Sequence, residues 1–149
     1  MPKKMPSEFR VYTFKVYLGR KRLKRPRAPW RLIEIRGDQT LADLHEVIFE
    51  AFDRFEEHLY SFFIGGKEFA PEEAGWPSSD TTCAVHAVIG GFEFEIGDWF
   101  TYLFDYGDEW WHVVELVKIE ERLGSDPVCP RVIERRGQSP LQYPDLEEE

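Results

Sequence analysis

The chain has 149 residues, of which 42% are hydrophobic and 15% aromatic, and its formal net charge is −9 at pH 7. A chain of this length and composition can bury a core of ordinary size, which excludes an intrinsically disordered protein and predicts a single domain over residues 1–149. Two cysteines are too few for a disulfide framework, and no apolar run approaches the roughly 20 residues of a membrane span, so we expect a cytoplasmic protein without a membrane partner.

The first predicted element is a strand over residues 9–18, where aromatic and β-branched residues alternate between two faces. A basic loop follows it, and two prolines in that loop prevent a helix from forming there. A second strand over residues 30–35 is expected to return antiparallel to the first. The chain therefore opens with two strands that flank a charged loop.

Six basic residues lie close together in this loop: Arg20, Lys21, Arg22, Lys24, Arg25 and Arg27. Residues 1–37 hold 12 basic and 2 acidic side chains, whereas residues 38–149 hold 7 and 26. Such a density of basic residues is typical of phosphate contacts, and the nearby Trp30 is able to stack on a base. Three interpretations stay open: a nucleic-acid site, a site for an acidic protein surface, and a loop that lies in solvent or against the acidic remainder of the fold.

The clearest helical pattern covers residues 41–54, where apolar side chains recur at intervals of three and four. Thr40 and Asp43 form the acidic variant of a capping box, which predicts that the helix begins here. The opposite face is expected to be solvated, and it carries Glu46, Glu50, Asp53 and Arg54.

Further strands are predicted over residues 58–64 and 67–69, separated by a glycine turn, and a loop over residues 70–82 follows. Residues 83–89 fit either a strand or a single helical turn. Strands over residues 99–105 and 110–119 come next, and the second of them is apolar on both faces, as in the centre of a sheet. Residues 121–149 are expected to form an irregular C-terminal arm outside a core of about residues 9–120. The predicted fold class is therefore α+β, a mixed sheet with one main helix packed on it.

Spaced motifs in this chain resemble those of one protein family. They are Trp30-Arg31, Thr40-Leu41 with Leu44-His45, Ala51-Phe52, His58-Leu59 with Phe62, and Tyr102-x-Phe104-Asp105-x-Gly107-Asp108-x-Trp110-x-His112. In order and spacing, over about residues 9–120, they resemble the plasmid pRiA4b ORF-3-like family. The resemblance implies a β-grasp-like domain found in plasmids and insertion elements, and it implies no established activity. The C-terminal part departs from the family, because the usual Pro-Pro-Glu-Asp followed by glycines is missing.

Residues 104–112 concentrate three carboxylates, a histidine and four aromatic residues. If the turn between the two strands is tight, Asp105, Asp108 and His112 converge, and such a set can hold a divalent metal or transfer protons. In the alternative interpretation this is a structural turn: aspartates accept amide hydrogen bonds, Gly107 takes a positive φ, and the histidine packs on its strand. The turn chemistry favours the structural interpretation.

His45 and His58 form a second candidate pair, because together with a carboxylate they would make a metal ligand set. Helix-to-sheet hydrogen bonding is the simpler interpretation of both. The sequence has no phosphate loop, nucleophile elbow or Cys-x-x-Cys pair, so no cofactor is predicted. An exposed cluster of Trp76, Trp99 and Trp111 would mark a ligand groove.

The sequence therefore predicts a binding or interaction module that is not an enzyme and whose macromolecular partner is unknown. The main alternative is a metal-assisted hydrolase centred on Asp105, Asp108 and His112. A second alternative is nucleic-acid binding through the basic loop at residues 20–27.

Overall fold

The structure is a computed structural model that describes residues 10–19, 28–71, 81–122 and 128–142. The basic loop at residues 20–27 and Trp76 lie outside these described residues. In chain order the elements are β1 (Arg10–Leu18), β2 (Trp30–Arg36), α1 (Leu41–Ala51), β3 (Tyr60–Ile64), β4 (Lys67–Ala70), β5 (Thr81–Cys83), β6 (Trp99–Phe104), β7 (Trp110–Glu121) and β8 (Arg131–Arg136). Two short 3₁₀ turns, Ala84–His86 and Ile89–Phe92, lie between β5 and β6.

The described strands form one sheet in the order β5-β4-β3-β6-β7-β1-β2-β8. Its neighbours pair antiparallel except for β4 and β5, which are parallel, so the predicted mixed sheet of an α+β fold is confirmed. β7 lies between β6 and β1, as its two apolar faces indicate. Within the described ranges, no helix has the length and apolar character needed to cross a membrane.

The core lies between α1 and one face of the sheet. Alternation along β1 places Tyr12, Phe14 and Val16 in the same buried cluster as Leu44 and Ile48 of the helix. Each large apolar side chain that is fully buried stabilises the fold by about 1.5–3 kcal/mol relative to its exposed state. The apolar side chains that recur every two residues in the strands therefore pack in one layer against those that recur about every 3.6 residues in the helix.

The helix α1 begins as predicted and ends earlier than predicted. The Thr40 hydroxyl accepts from the amide of Asp43, and the Asp43 carboxylate accepts from the amide of Thr40, which is a complete capping box. The helix stops at Ala51, not at residue 54, because Asp53 takes the left-handed conformation with φ 56°. The amides of Asp53 and Arg54 then donate to the carbonyls of Glu50 and Phe49, the two hydrogen bonds of a Schellman turn.

The prediction of an irregular arm over residues 121–149 is wrong for its middle part. Residues Arg131–Arg136 form β8, which pairs antiparallel with β2 at the edge of the sheet. The strand is short and mostly charged, so its alternation is weak in sequence. Its charge is compensated by tertiary contacts, because the buried Glu34 carboxylate binds both Arg122 and Arg131 at 2.6 and 2.8 Å. Further on, Gln142 is buried, and its side-chain oxygen accepts from the amides of Phe55 and Glu56.

Candidate functional site

The turn at residues 105–109 is held by the side chain of Asp105. This residue takes φ 66°, and its carboxylate Oδ1 accepts from the amides of Gly107 and Asp108 at 3.0 and 3.3 Å. Its carbonyl accepts from the amide of Glu109 at 2.7 Å. Asp108 itself is exposed. The side chain of Asp105 therefore performs the hydrogen bonding that a tight turn requires. The prediction that Gly107 takes a positive φ is wrong, because Asp105 and Glu109 take the left-handed conformation instead.

His112 is fully buried, and both of its ring nitrogens are engaged. Nδ1 lies 3.2 Å from the Tyr102 carbonyl and Nε2 lies 2.9 Å from Nη2 of Arg54. Because a carbonyl only accepts and a guanidinium only donates, Nδ1 carries the proton and Nε2 accepts. Burial and then the Arg54 charge hold the pKa of His112 well below its usual range, so the ring is neutral. This histidine does not join Asp105 and Asp108, and the arrangement gives no support to a metal centre on the three.

Arg54 lies among three aromatic side chains. The prediction that it belongs to the solvated face of the helix is wrong. It is 6% exposed because the turn after α1 directs it inward. Its guanidinium lies 5.1–5.5 Å from the ring centres of Phe52, Phe104 and Trp110. Burial lowers the pKa of Arg54 to about 10. Within the described residues, its buried Nη1 and the buried Nε1 of Trp110 have no hydrogen-bond acceptor.

A second network runs from the core to the surface through His45 on α1. The buried ring stacks on Tyr60 with centroids 3.7 Å apart and planes 7° apart. Nδ1 lies 2.6 Å from the hydroxyl of Tyr102, and Nε2 lies 2.6 Å from the carboxylate of Glu57. Since the carboxylate accepts, Nε2 carries the proton, and in the neutral ring Nδ1 accepts from the tyrosine hydroxyl.

The two ends of this network differ in environment. Burial raises the pKa of Tyr102 well above its usual value, so the hydroxyl keeps its proton. Glu57 is half-exposed at the other end. Partial burial alone would raise the pKa of Glu57, but the hydrogen bond with His45 and the nearby imidazole lower it below its usual value. The histidine thus connects a buried tyrosine, whose pKa is raised, with a glutamate at the surface, whose pKa is lowered.

His45 and Glu57 lie on the wall of a cavity of about 600 Å³, which we call the His45 cavity. The lining residues come from α1, from the segment that leads into β3, from the end of β4 and from the first 3₁₀ turn: Ala42, His45, Glu46, Glu57, His58, Leu59, Tyr60, Pro71 and Val85. The structure thus brings His45 and His58 to one cavity. The His58 Nε2 lies 3.6 Å from the carboxylates of Glu56 and Asp105, which orient the ring.

Three side chains at this cavity can bring ligand atoms to one point. Potential ligand atoms of His45, Glu46 and Glu57 lie within 4.8 Å of one another, and in the described part of the chain this is the one set of three His, Cys, Asp or Glu residues that does so. Sequence reasoning selected His45 and missed both glutamates. Glu46 was placed on a solvated helix face, and Glu57 follows a turn whose direction the sequence does not fix.

Of the three tryptophans expected to form a groove, the structure describes Trp99 and Trp111, and these two lie in different surroundings. Trp111 on β7 packs against Phe63 with ring centres 5.6 Å apart. Trp99 on β6 lines a different cavity of about 750 Å³, beside Phe92 and Phe94.

Comparison with known proteins places the chain in a family. The model of the plasmid pRiA4b ORF-3-like protein family matches residues 10–142, and the chain belongs to this family. It is 25% identical over 100 residues to the uncharacterized protein y4hQ of Sinorhizobium fredii, a match that covers 67% of this chain and half of that protein's length. Its fold is similar to the crystal structure of MM3350, a protein of unknown function from Methanosarcina mazei Go1, with a TM-score of 0.70, 24% identity, and coverage of 85% of this chain and 69% of that one.

Proposed function

We propose that this member of the plasmid pRiA4b ORF-3-like family is a binding module that is not an enzyme, and that it holds a divalent metal ion of the zinc class in the His45 cavity. The observation that carries the proposal is the convergence of His45, Glu46 and Glu57 within 4.8 Å on the wall of that cavity. One imidazole nitrogen and two carboxylate oxygens are ligands typical of zinc and similar transition metals. The uncharacterised relatives neither add to this proposal nor oppose it.

The surroundings of His45 suit a metal ligand. A metal-binding imidazole is usually oriented by a hydrogen bond at its other ring nitrogen, and Tyr102 provides a buried partner at 2.6 Å from Nδ1. Stacking on Tyr60 fixes the plane of the ring. With a metal at Nε2 in place of the proton, Nδ1 would carry the ring proton and would donate to the Tyr102 hydroxyl oxygen. Tyr102 therefore already occupies the position of a residue that orients His45 as a ligand.

Electrostatics favours a cation at this point. Glu46 and Glu57 together carry the two negative charges that a divalent ion neutralises, and both are exposed, whereas His45 is buried. Residues 38–149 carry 26 acidic and 7 basic side chains, which raises the local concentration of cations around this part of the chain.

Calorimetric titration of chelator-treated protein with Zn²⁺, Co²⁺, Mn²⁺ and Mg²⁺ tests the proposal. We expect one Zn²⁺ per chain, with Zn²⁺ and Co²⁺ preferred over Mg²⁺ because the set contains an imidazole. His45→Gln and Glu57→Gln should each weaken Zn²⁺ binding by about 100-fold or more, since loss of a ligand exceeds the 10–100-fold effect of losing its orienting partner.

Two matched variants control for binding elsewhere. Glu50→Gln removes an exposed carboxylate from the same helix, and His86→Gln removes an exposed imidazole, and neither residue lines the cavity. Both should bind Zn²⁺ like the parent. A flat titration of the parent, or equal affinities in His45→Gln and the parent, would refute the proposal.

Other expectations remain predictions. The β-grasp-like arrangement is supported by the β1–β2 hairpin followed by a helix on the sheet. Nucleic-acid or acidic-partner binding by the basic loop falls outside the described residues; charge reversal of Arg20 to Arg27 should weaken oligonucleotide binding and its salt dependence if that loop is the site. Location in the cytoplasm and association with mobile elements likewise stay proposals.

A further inference from the structure

We propose that the metal ion in the His45 cavity keeps a free coordination position, and that this position takes the oxygen donor of a small organic ligand with an aliphatic body. The inference rests on the proposed function and names the ligand class of the same site. A carboxylate or hydroxamate head would bind the metal, and a short hydrocarbon chain would lie along the apolar wall.

The number of protein ligands is the first argument. His45, Glu46 and Glu57 supply three donor atoms, and zinc prefers four. The neighbouring His58 is oriented by the carboxylates of Glu56 and Asp105, each 3.6 Å from its Nε2. Sites with three protein ligands leave the fourth position to water or an exogenous donor.

The size and lining of the cavity are the second argument. A volume of about 600 Å³ exceeds the needs of one ion and falls in the range of small-molecule sites. Its lining also includes the apolar residues Leu59, Pro71 and Val85. Leu59 is 37% exposed and Val85 is 53% exposed, so apolar surface remains for a ligand to cover.

Charge is the third argument. A divalent ion with two glutamates forms a neutral site, which accepts a singly charged oxygen donor more readily than a dianion such as phosphate. A monoanionic head with an aliphatic body fits both parts of the wall.

Co²⁺-loaded protein gives a direct spectroscopic test. The d–d spectrum of the loaded chain is recorded while acetohydroxamate or hexanohydroxamate is added, and bound cobalt is measured afterwards to show that the probe has not removed it. Each buried methylene contributes about a fourfold gain in affinity, so burial of two of the four extra methylenes predicts at least a tenfold advantage for the longer probe.

Two valines provide the variants. Val85→Trp places a large side chain in the cavity and should reduce the advantage of hexanohydroxamate to below about threefold, with Co²⁺ affinity unchanged. Val88→Trp adds the same bulk at a site that is 40% exposed and outside the cavity, and it should behave like the parent.

The outcomes separate the two levels of the proposal. Co²⁺ that fails to bind would overturn the metal site and this inference together, and the first titration reads that directly. Bound Co²⁺ with a spectrum that neither probe changes, with equal affinities for both probes, or with an advantage that persists in Val85→Trp, would overturn the ligand class and leave the metal site standing.

Discussion

Phe52, Phe104 and Trp110 surround the Arg54 guanidinium, and we call them the aromatic cage. The replacement of Arg54 by methionine tests how much this cage stabilises the buried charge. Burial lowers the pKa of Arg54 from its usual value to about 10, which corresponds to a cost of about 3 kcal/mol for holding the charged form in the fold. Opposing this cost are three ring contacts, each worth about 0.5–1 kcal/mol, and the hydrogen bond to His112. Removing the donor leaves Nε2 of His112 unpaired, at about 1–3 kcal/mol.

These terms nearly cancel. The free energy of unfolding of Arg54→Met should therefore lie within about 1 kcal/mol of that of the parent, although the substitution removes a buried charge. Methionine fills a similar volume and adds apolar contact with Phe52 and Phe104. Arg54→Ala is the comparison, because it leaves a cavity and should lose about 2–5 kcal/mol.

The assay is urea denaturation at pH 7, followed by tryptophan fluorescence and circular dichroism, with equal m-values required for the comparison. A loss of more than about 3 kcal/mol in Arg54→Met would refute the reasoning. It would mean that the guanidinium is paired with an acceptor and stabilises the fold.

Three further changes test other parts of the structure. Burial alone would raise the pKa of Glu34, but hydrogen bonds from Arg122 and Arg131 outweigh this effect and lower the pKa below 4.5. The ionised carboxylate therefore stabilises the fold above pH 4.5, and this contribution is lost as the pH falls through the folded pKa. Glu34→Gln should lower the free energy of unfolding by about 1–2 kcal/mol at pH 7 in urea titrations, and the difference from the parent should shrink in acid; a difference that does not change with pH would contradict this. Asp105→Ala should lower the free energy of unfolding by about 1–3 kcal/mol in thermal melts, because alanine is strained at φ 66° and its side chain accepts no amide hydrogen bond. Asp105→Asn should keep a stability near that of the parent, and equal losses in the two variants would contradict the role of Asp105 in the turn. Tyr102→Phe should weaken Zn²⁺ binding about 10- to 100-fold in calorimetry without loss of the fold, and unchanged affinity would show that the tyrosine does not orient the ligand.

Local periodicity explains what the sequence predicts well. The alternation in β1 and β7 and the capping box at Thr40 depend on neighbouring residues, so they are readable from sequence. The end of α1 is not, because Asp53 adopts a positive φ that its residue type only weakly favours. The strand β8 also escapes prediction, since it is mostly charged and its partners, the strand β2 and the carboxylate of Glu34, are distant in sequence.

The candidate site shows the same division between local and distant information. The hydrogen-bonding role of Asp105 in the turn at residues 105–109 is recognised from the residue type alone. In contrast, His45, Glu57 and Tyr102 are brought together from a helix, a connecting segment and a central strand. Such a meeting depends on the sheet order and on the direction of the chain after the helix, and neither is written in any short window of sequence.

The Schellman turn at the end of α1 sets the direction of the segment that follows. From this one reversal, Arg54 points into the core and Glu57, three residues later, reaches back to the helix that it has just left. An inserted or deleted residue between Phe52 and Arg54 would therefore displace Arg54 from its three aromatic rings and Glu57 from His45 together. Selection should therefore act more strongly on the length of this connection than on most of its side chains. A change in that length would alter the core around Arg54 and the surface site at His45 at the same time.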